Sequence, residues 1–222
     1  MKWIFAGGAV LFAGVVGITI FYWLRPLILI ADLEDRGALV ILDDGKVTAI
    51  GYDETVDELL ELAQLELFKE LEVLEIAGDP VRCDFSPLRN LLNLQGLTLR
   101  SNSFSDKDTQ YLLGLKSLEY LSLRGTNISA RSLNGICGIR LKVLQLGYTN
   151  LDETALVMIA ECNSLQSLEL PASAITPGSI SELGRLSNLR RLVVTDAMKT
   201  GHVPTEIVEF SQSHPNISID VW

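Results

Sequence analysis

A strand-like apolar pattern recurs along most of the chain at an interval of 23 or 24 residues. Each copy has the spacing L-x-x-L-x-L, and none of the three slots holds a charged residue in any copy. Self-similarity at a fixed period of this length predicts a solenoid, in which each coil buries its apolar face only by stacking on its neighbours. The seven copies begin at Val47, Leu71, Leu94, Leu118, Leu141, Leu165 and Leu189.

Polar residues and helix start signals predict how each coil turns and returns. A small polar residue follows the second slot by five positions, where a side chain can hydrogen-bond backbone left unpaired by the turn. Signals such as Ser86-Pro87, Thr176-Pro177 and Pro204 then precede apolar residues at helical spacing, which predicts a short helix on the way back. The polar position is filled by Thr55, Asp79, Asn102, Thr126, Thr149 and Ser173 in six of the seven units.

In this frame, residues 47–198 resemble the leucine-rich repeat family, whose signature is L-x-x-L-x-L-x-x-N/C-x-L. The Thr-x-Ile ending seen in Leu121-Ser-Leu-Arg-Gly-Thr-Asn-Ile is similar to a bacterial subclass with repeats of 23–24 residues. The resemblance implies an α/β solenoid, with a parallel sheet on the concave face and short helices on the convex face. It also implies a role in binding other proteins.

Segments at both ends of the repeats predict caps. Asp43-Asp44-Gly45 lies between two apolar runs and is typical of a β-hairpin. Residues 27–31 are predicted either to add a further strand or to lie at a membrane interface, and the alternation at 217–221 predicts a closing strand. The predicted organisation is a signal-anchor helix at 1–25, a linker and capping hairpin at 26–46, seven repeats at 47–215 and the closing strand at 216–222.

The first residues predict a membrane anchor. Residues 3–24 are uncharged and would form a helix of about 33 Å, the thickness of a bilayer's hydrocarbon core. Trp3 lies at one end, Tyr22 and Trp23 lie at the other, and Pro26 is predicted to end the helix. No small-residue cleavage site follows, which favours a single-pass anchor over a removable signal peptide. The short N-terminal tail favours an extracytoplasmic repeat domain.

A stripe of small residues, Ala9, Ala13 and Gly17, could let a second helix pack closely on this segment, although such residues are common in membrane spans. The chain has a net charge of −10, which predicts that it repels nucleic acid and does not dock on lipid through a basic face. A protein or a bilayer is therefore the expected partner.

Residues suited to catalysis or metal binding are sparse. The two histidines, His202 and His214, belong to no metal-binding or catalytic motif, and the acidic cluster at 53–61 is typical of a solvated helix face. The three cysteines, Cys83, Cys137 and Cys162, have no zinc-ligand spacing and are predicted to be small core residues. The sequence therefore predicts no enzymatic activity, no cofactor and no metal.

The strand residues between the core slots are predicted to face outward on the concave side. Arg100 and Arg124 would lie on adjacent strands about 4.8 Å apart, where like charges repel unless an anionic or aromatic group lies between them. Tyr and Arg dominate protein interfaces, so these two arginines and Tyr120 are the sharpest candidates for partner contact. Alternatively, the arginines only form surface ion pairs with Glu75 or Glu119. The full candidate set is Arg100, Tyr120, Arg124, Val143, Gln145, Glu169 and Arg191.

Three functions fit these predictions. The first is a membrane-anchored module that binds a protein on its concave face. The second is a structural subunit of a larger membrane complex, and the third is a binding protein secreted after signal cleavage.

Overall fold

A computed structural model of the chain describes residues 24–52, 62–78, 84–197 and 205–222. Its centre is a nine-stranded sheet in which every strand pairs with the next in chain order. The first pair is antiparallel and the other pairs are parallel. The strands are β1 Leu39–Asp43, β2 Lys46–Tyr52, β3 Val73–Ala77, β4 Gly96–Arg100, β5 Tyr120–Ser122, β6 Val143–Gln145, β7 Ser167–Pro171, β8 Arg191–Thr195 and β9 Ser218–Val221.

The apolar slots of the repeat stack in register across the sheet. Leu97 pairs with Leu121, Leu121 with Leu144 and Leu144 with Leu168, and all four are fully buried. Alternate residues of a strand point to opposite faces, so one face of the sheet becomes the wall of a continuous core. The predicted solenoid of stacked coils is confirmed.

The return segments contain more 3₁₀-helix than the predicted short helices suggest. A 3₁₀-helix rises about 2.0 Å per residue against about 1.5 Å for an α-helix, so it covers more distance with the few residues a 23-residue coil leaves. The α-helices in this part of the chain are α2 Ala130–Ile136, α3 Thr154–Ile159 and α4 Thr205–Ser213. The 3₁₀-helices are Leu62–Leu67, Ser86–Asn90, Thr109–Tyr111, Ala172–Ala174 and Ile180–Arg185.

Threonine hydroxyls close the turns of the central coils, as the polar position predicts. The Thr126 hydroxyl donates to the Leu123 carbonyl at 2.7 Å, and the Thr149 hydroxyl donates to the Leu146 carbonyl at 2.6 Å. Both side chains are buried, so each bond satisfies a carbonyl that water cannot reach.

The N-terminal end of the repeats is covered by a helix and a hairpin. Residues 24–35, which we call α1, are helical, so the predictions that Pro26 ends the helix and that residues 27–31 form a strand are wrong. Proline fixes φ at a helical value, and burial of Leu29 and Leu33 on the following turns offsets the hydrogen bond that it removes. The hairpin turn lies at Asp44 and Gly45, both with positive φ.

Several predicted features lie outside the described residues: the span at 3–24 except its last residue, the small-residue stripe, Cys83, His202 and the acidic cluster at 53–61. Within the described ranges, no helix combines the length and apolar character needed to cross a bilayer.

Two cysteines join neighbouring coils through a disulfide that the sequence analysis did not predict, although Cys162 is buried in the core as predicted. Cys137, just after α2, forms a disulfide with Cys162, just after α3. Their separation of 25 residues is close to one repeat period, so stacking places them side by side on the return side.

Candidate binding face

The sheet has one face toward the core and one face free of return segments, which we call the open face. Its residues line up in rows that run across the strands because the parallel strands pair in register. One row passes through Val73, Gly96, Tyr120, Val143, Ser167 and Arg191, and the next passes through Glu75, Thr98, Ser122, Gln145, Glu169 and Val193. These are the rows that the sequence predicts to face outward.

The part of the open face on β1–β4 exposes several apolar side chains. Leu39 and Ile41 on β1 are 65% and 48% exposed, and Val73 on β3 is 46% exposed. Small residues separate them, since Ile41 pairs with Ala49 and Val73 pairs with Gly96. This half therefore presents a shallow apolar strip beside the half-exposed ion pair of Glu75 and Arg100.

The part of the open face on β5–β9 is organised around a buried ion pair. The Arg124 Nε lies 3.1 Å from Glu169 Oε1, and the Glu169 side chain is only 4% exposed. Arg124 follows β5 and Glu169 lies on β7, so the pair crosses the intervening coil at Gly147. A Cβ at Gly147 would collide with the Glu169 carboxylate and lie 3.0 Å from Thr195 Cγ2, so the absent side chain leaves the space that Glu169 occupies.

Burial raises the pKa of Glu169 above its ordinary value, while the nearby guanidinium groups of Arg124, Arg100 and Arg191 act in the opposite direction. The carboxylate is held against its desolvation cost mainly by Arg124, the arginine in direct contact with it. Removing that arginine would leave a buried charge without its partner.

Tyr148 stands beside this pair in a strained backbone conformation. Its φ is +59°, in the left-handed region that costs an L-residue about 1–2 kcal/mol. The Arg124 guanidinium lies 5.2 Å from the centre of the Tyr148 ring, within cation–π range, and Tyr148 is half exposed. Strain of this kind concentrates at functional sites.

Sequence reasoning missed Tyr148, although the repeat frame holds a signal for it. Gly78, Gly125 and Asp196 occupy the equivalent position in three other units and also have positive φ, so the left-handed conformation recurs at this turn of the repeat. A large aromatic side chain at such a turn is the signal in the sequence, because positive φ favours glycine.

The other predicted residues form separate pairs. The Arg100 guanidinium lies 3.8 Å from the Glu75 carboxylate, and both side chains are about half exposed, as the surface ion-pair alternative predicts. Arg100 and Arg124 form ion pairs with different carboxylates, those of Glu75 and Glu169. The Tyr120 hydroxyl donates to Gln145 Oε1 at 2.9 Å.

Arg191 and Val143 complete the candidate set. Arg191 Nε donates to Asp220 on β9 at 2.9 Å, and Val143 is partly buried between Tyr120 and Ser167 in its row. The structure thus brings Arg124 together with Glu169 and Tyr120 with Gln145, whereas Arg100 and Arg191 each form an ion pair at the side of this centre.

This arrangement offers fixed charges, hydrogen-bonding groups and aromatic surface. In the ranges that the structure describes, no group of three or more His, Cys, Asp and Glu side chains could hold a metal ion.

Solved structures with a similar backbone share this architecture. An internalin C2 of Listeria monocytogenes superposes with a TM-score of 0.53 at 20% sequence identity, covering 86% of this chain and 83% of that one. A second internalin of the same organism gives a TM-score of 0.52 at 20% identity, covering 78% of this chain and 46% of its own. The fold is that of a leucine-rich repeat protein. At this identity the likeness shows the fold alone.

Among curated proteins, a putative adenylate cyclase regulatory protein of Trypanosoma equiperdum is 30% identical over 173 residues. The match covers 77% of this chain, which spans only 27% of that protein. No family model matches the chain. The leucine-rich repeat fold therefore rests on the in-frame repeats and the stacked coils described above.

Proposed function

We propose that the chain is a non-enzymatic protein-protein interaction module that binds its partner on the open, concave face of the repeats. Tyr148 carries this proposal, because its half-exposed ring lies against the Arg124 guanidinium at a turn where positive φ favours glycine over a large side chain. Tyr and Arg are also the residue types that contribute most to protein interfaces. The trypanosomal relative is named as a regulatory protein, which fits a binding role.

The site that we assign to the partner centres on Tyr120, Arg124 and Tyr148, with Gln145 and Glu169 as the groups that hold them. Arg124 is fixed by Glu169, and Tyr120 by Gln145, at 3.1 and 2.9 Å respectively. Side chains already fixed in the free protein lose less conformational entropy on binding. Arg100 and Arg191 flank this centre with exposed charge.

The module is held at a membrane by residues 3–24, with the repeat domain on the extracytoplasmic side. The uncharged length of this segment supports the anchor. The disulfide between Cys137 and Cys162 supports the orientation, because disulfides persist in oxidising compartments and are rare in the cytosol. Protease digestion of sealed vesicles tests the orientation: a cytoplasmic repeat domain would contradict it.

The experiment that tests partner binding is co-purification from membranes in mild detergent, quantified by mass spectrometry. Replacing Arg100, Tyr120 and Arg124 together by alanine should remove the partner. The matched control replaces three exposed residues of the return side, Arg131, Arg140 and Val157, by alanine. This variant should keep the partner. Both variants are compared with fold and disulfide intact, because Arg124→Ala also leaves the buried Glu169 carboxylate without its partner. Loss of the partner from both variants, or retention by both, contradicts the assignment.

A second function, a structural subunit of a membrane complex, is favoured by the apolar strip on the β1–β4 part of the open face. Leu39, Ile41 and Val73 expose hydrocarbon of the kind that permanent interfaces bury. A subunit of this kind should co-purify stoichiometrically and aggregate when expressed alone, whereas a module that binds its partner reversibly should be stable as a lone chain.

A further inference from the structure

The first two turns of α1 expose an apolar stripe on the side opposite the core. Leu24, Leu27 and Ile28 are 44%, 60% and 55% exposed, and their spacing of three and four residues places them on one side of the helix. Leu29 and Leu33, on the other side, are buried against the repeats. Each side of the helix therefore needs an apolar neighbour, and the repeat core supplies only one.

The stripe changes character after two turns. Leu24, Leu27, Ile28 and Ala31 occupy its first part, and the next residues on the same side, Glu34 and Asp35, are exposed acids. An apolar surface that becomes acidic about 10 Å along a helix fits a boundary between hydrocarbon and water more closely than it fits a protein interface of uniform character.

Apolar surface continues into two clefts beside α1. One cleft, of about 230 Å³, is lined by Ile28, Leu29 and Leu67, and the other, of about 240 Å³, is lined by Leu27, Ile30 and Phe68. Basic residues (Arg25, Lys46 and Lys69) and acidic residues (Asp32 and Glu70) both line these clefts, so charge does not select the neighbour.

The chain that precedes α1 identifies the neighbour. The uncharged segment 3–24 ends where the stripe begins, and Leu29, the first core residue, follows Leu24 by five residues, or about 7.5 Å of helix. An anchor that spans a bilayer therefore leaves no flexible linker between the lipid and the repeats, and the beginning of α1 must lie at the bilayer surface.

We propose that the first two turns of α1 dock in the interfacial layer of a lipid bilayer, so that Leu27 and Ile28 contact lipid and the repeat domain is held against the membrane in a fixed orientation. This inference rests on the proposed membrane anchor. Docking through apolar contact predicts that uncharged phosphatidylcholine is sufficient and that anionic lipid is not required.

The test places a nitroxide spin label at single positions of the full-length chain in phosphatidylcholine nanodiscs. A Cys83→Ser background leaves the Cys137–Cys162 disulfide intact. Ile28→Cys reports the stripe, and Val208→Cys, at a position 48% exposed on α4, is the matched control. Val15→Cys reports the anchor itself. Collision rates with oxygen, which partitions into lipid, and with a water-soluble nickel chelate are measured for each label.

Docking predicts that the oxygen-to-nickel ratio at position 28 is several-fold higher than at position 208 and lower than at position 15. A ratio at position 28 equal to that at 208, with position 15 in lipid, overturns the docking and leaves the anchor intact. A label at position 15 that is exposed to water overturns both the docking and the anchor. A label at position 28 shielded from both reagents, in discs that contain two chains, overturns the docking in favour of a second copy as the neighbour.

Discussion

The two halves of the open face are built on the same repeat frame and yet present different surfaces. On β1–β4, exposed Leu39, Ile41 and Val73 stand among small residues, and the ion pair between Arg100 and Glu75 is long and half exposed. On β5–β9, the pair between Arg124 and Glu169 is short, and its carboxylate is buried. The repeat frame determines the position of each side chain. The residues between the apolar slots determine which side chains of neighbouring coils contact each other on the open face.

A glycine at the right position is what allows the second arrangement. Gly147 leaves room for Glu169 to lie across its coil and meet Arg124. Gly96 also lacks a side chain, but a Cβ there would meet only Val73 methyl groups, at 3.6 Å and 3.7 Å, which is ordinary contact. The missing side chain at Gly96 therefore leaves a shallow gap beside Val73, whereas the missing side chain at Gly147 leaves room for a buried ion pair.

The largest expected difference between the halves is in their ion pairs. Arg124→Ala should lower the free energy of unfolding by about 3 kcal/mol, because it leaves the Glu169 carboxylate buried without a partner. Arg100→Ala should cost about 1 kcal/mol or less, since its pair is half exposed. Chemical denaturation of both variants measures this, and adding Glu169→Gln to Arg124→Ala should recover part of the loss. Equal effects at the two arginines would contradict the distinction.

A smaller difference is expected from the two glycines. Gly147→Ala should destabilise the protein by about 2 kcal/mol, because the added methyl displaces Glu169 in a packed site. Gly96→Ala should change stability by about 0.5 kcal/mol or less, since the methyl group makes only ordinary contact with Val73. Thermal or chemical unfolding of the two variants makes the comparison. If Gly147→Ala proves as mild as Gly96→Ala, Glu169 does not depend on the space at Gly147.

The smallest expected effect is a pH dependence confined to the second half. Burial holds the folded-state pKa of Glu169 above the ordinary 4.5, so its contribution to stability is fully present below pH 4.5 and is lost as pH rises through the folded-state pKa. Glu169→Gln mimics the neutral acid at every pH. The stability of this variant relative to the natural protein should therefore increase between pH 4 and pH 7, and a constant difference would contradict the raised pKa.

The fold could be predicted from the sequence because its periodic residues determine it. The apolar slots at Leu97, Leu121 and Leu144 recur at a fixed interval, and stacking in register is how such coils bury them. The end of the N-terminal helix could not be predicted in this way. Pro26 is a local signal for a helix end, whereas the burial of Leu29 and Leu33 that overrides it is a tertiary effect.

The candidate site could be predicted only in part. The outward position of Arg124 and Glu169 follows from strand alternation. Their contact depends on the missing side chain of Gly147, which follows the strand between them, and no sequence pattern indicates that contact. The sequence analysis missed the disulfide for a similar reason. Cys137 and Cys162 are 25 residues apart and become neighbours only because successive coils stack one repeat period apart.

The central claim is that a protein partner lies on the open face. The most direct measurement is photo-cross-linking in native membranes, with p-benzoylphenylalanine in place of Tyr120 in one variant and Val143 in another. Val157 of α3 and Val208 of α4 are the matched exposed positions on the return side. We predict the same partner adduct from positions 120 and 143 and none from 157 or 208. An adduct formed from the return side alone would contradict the claim.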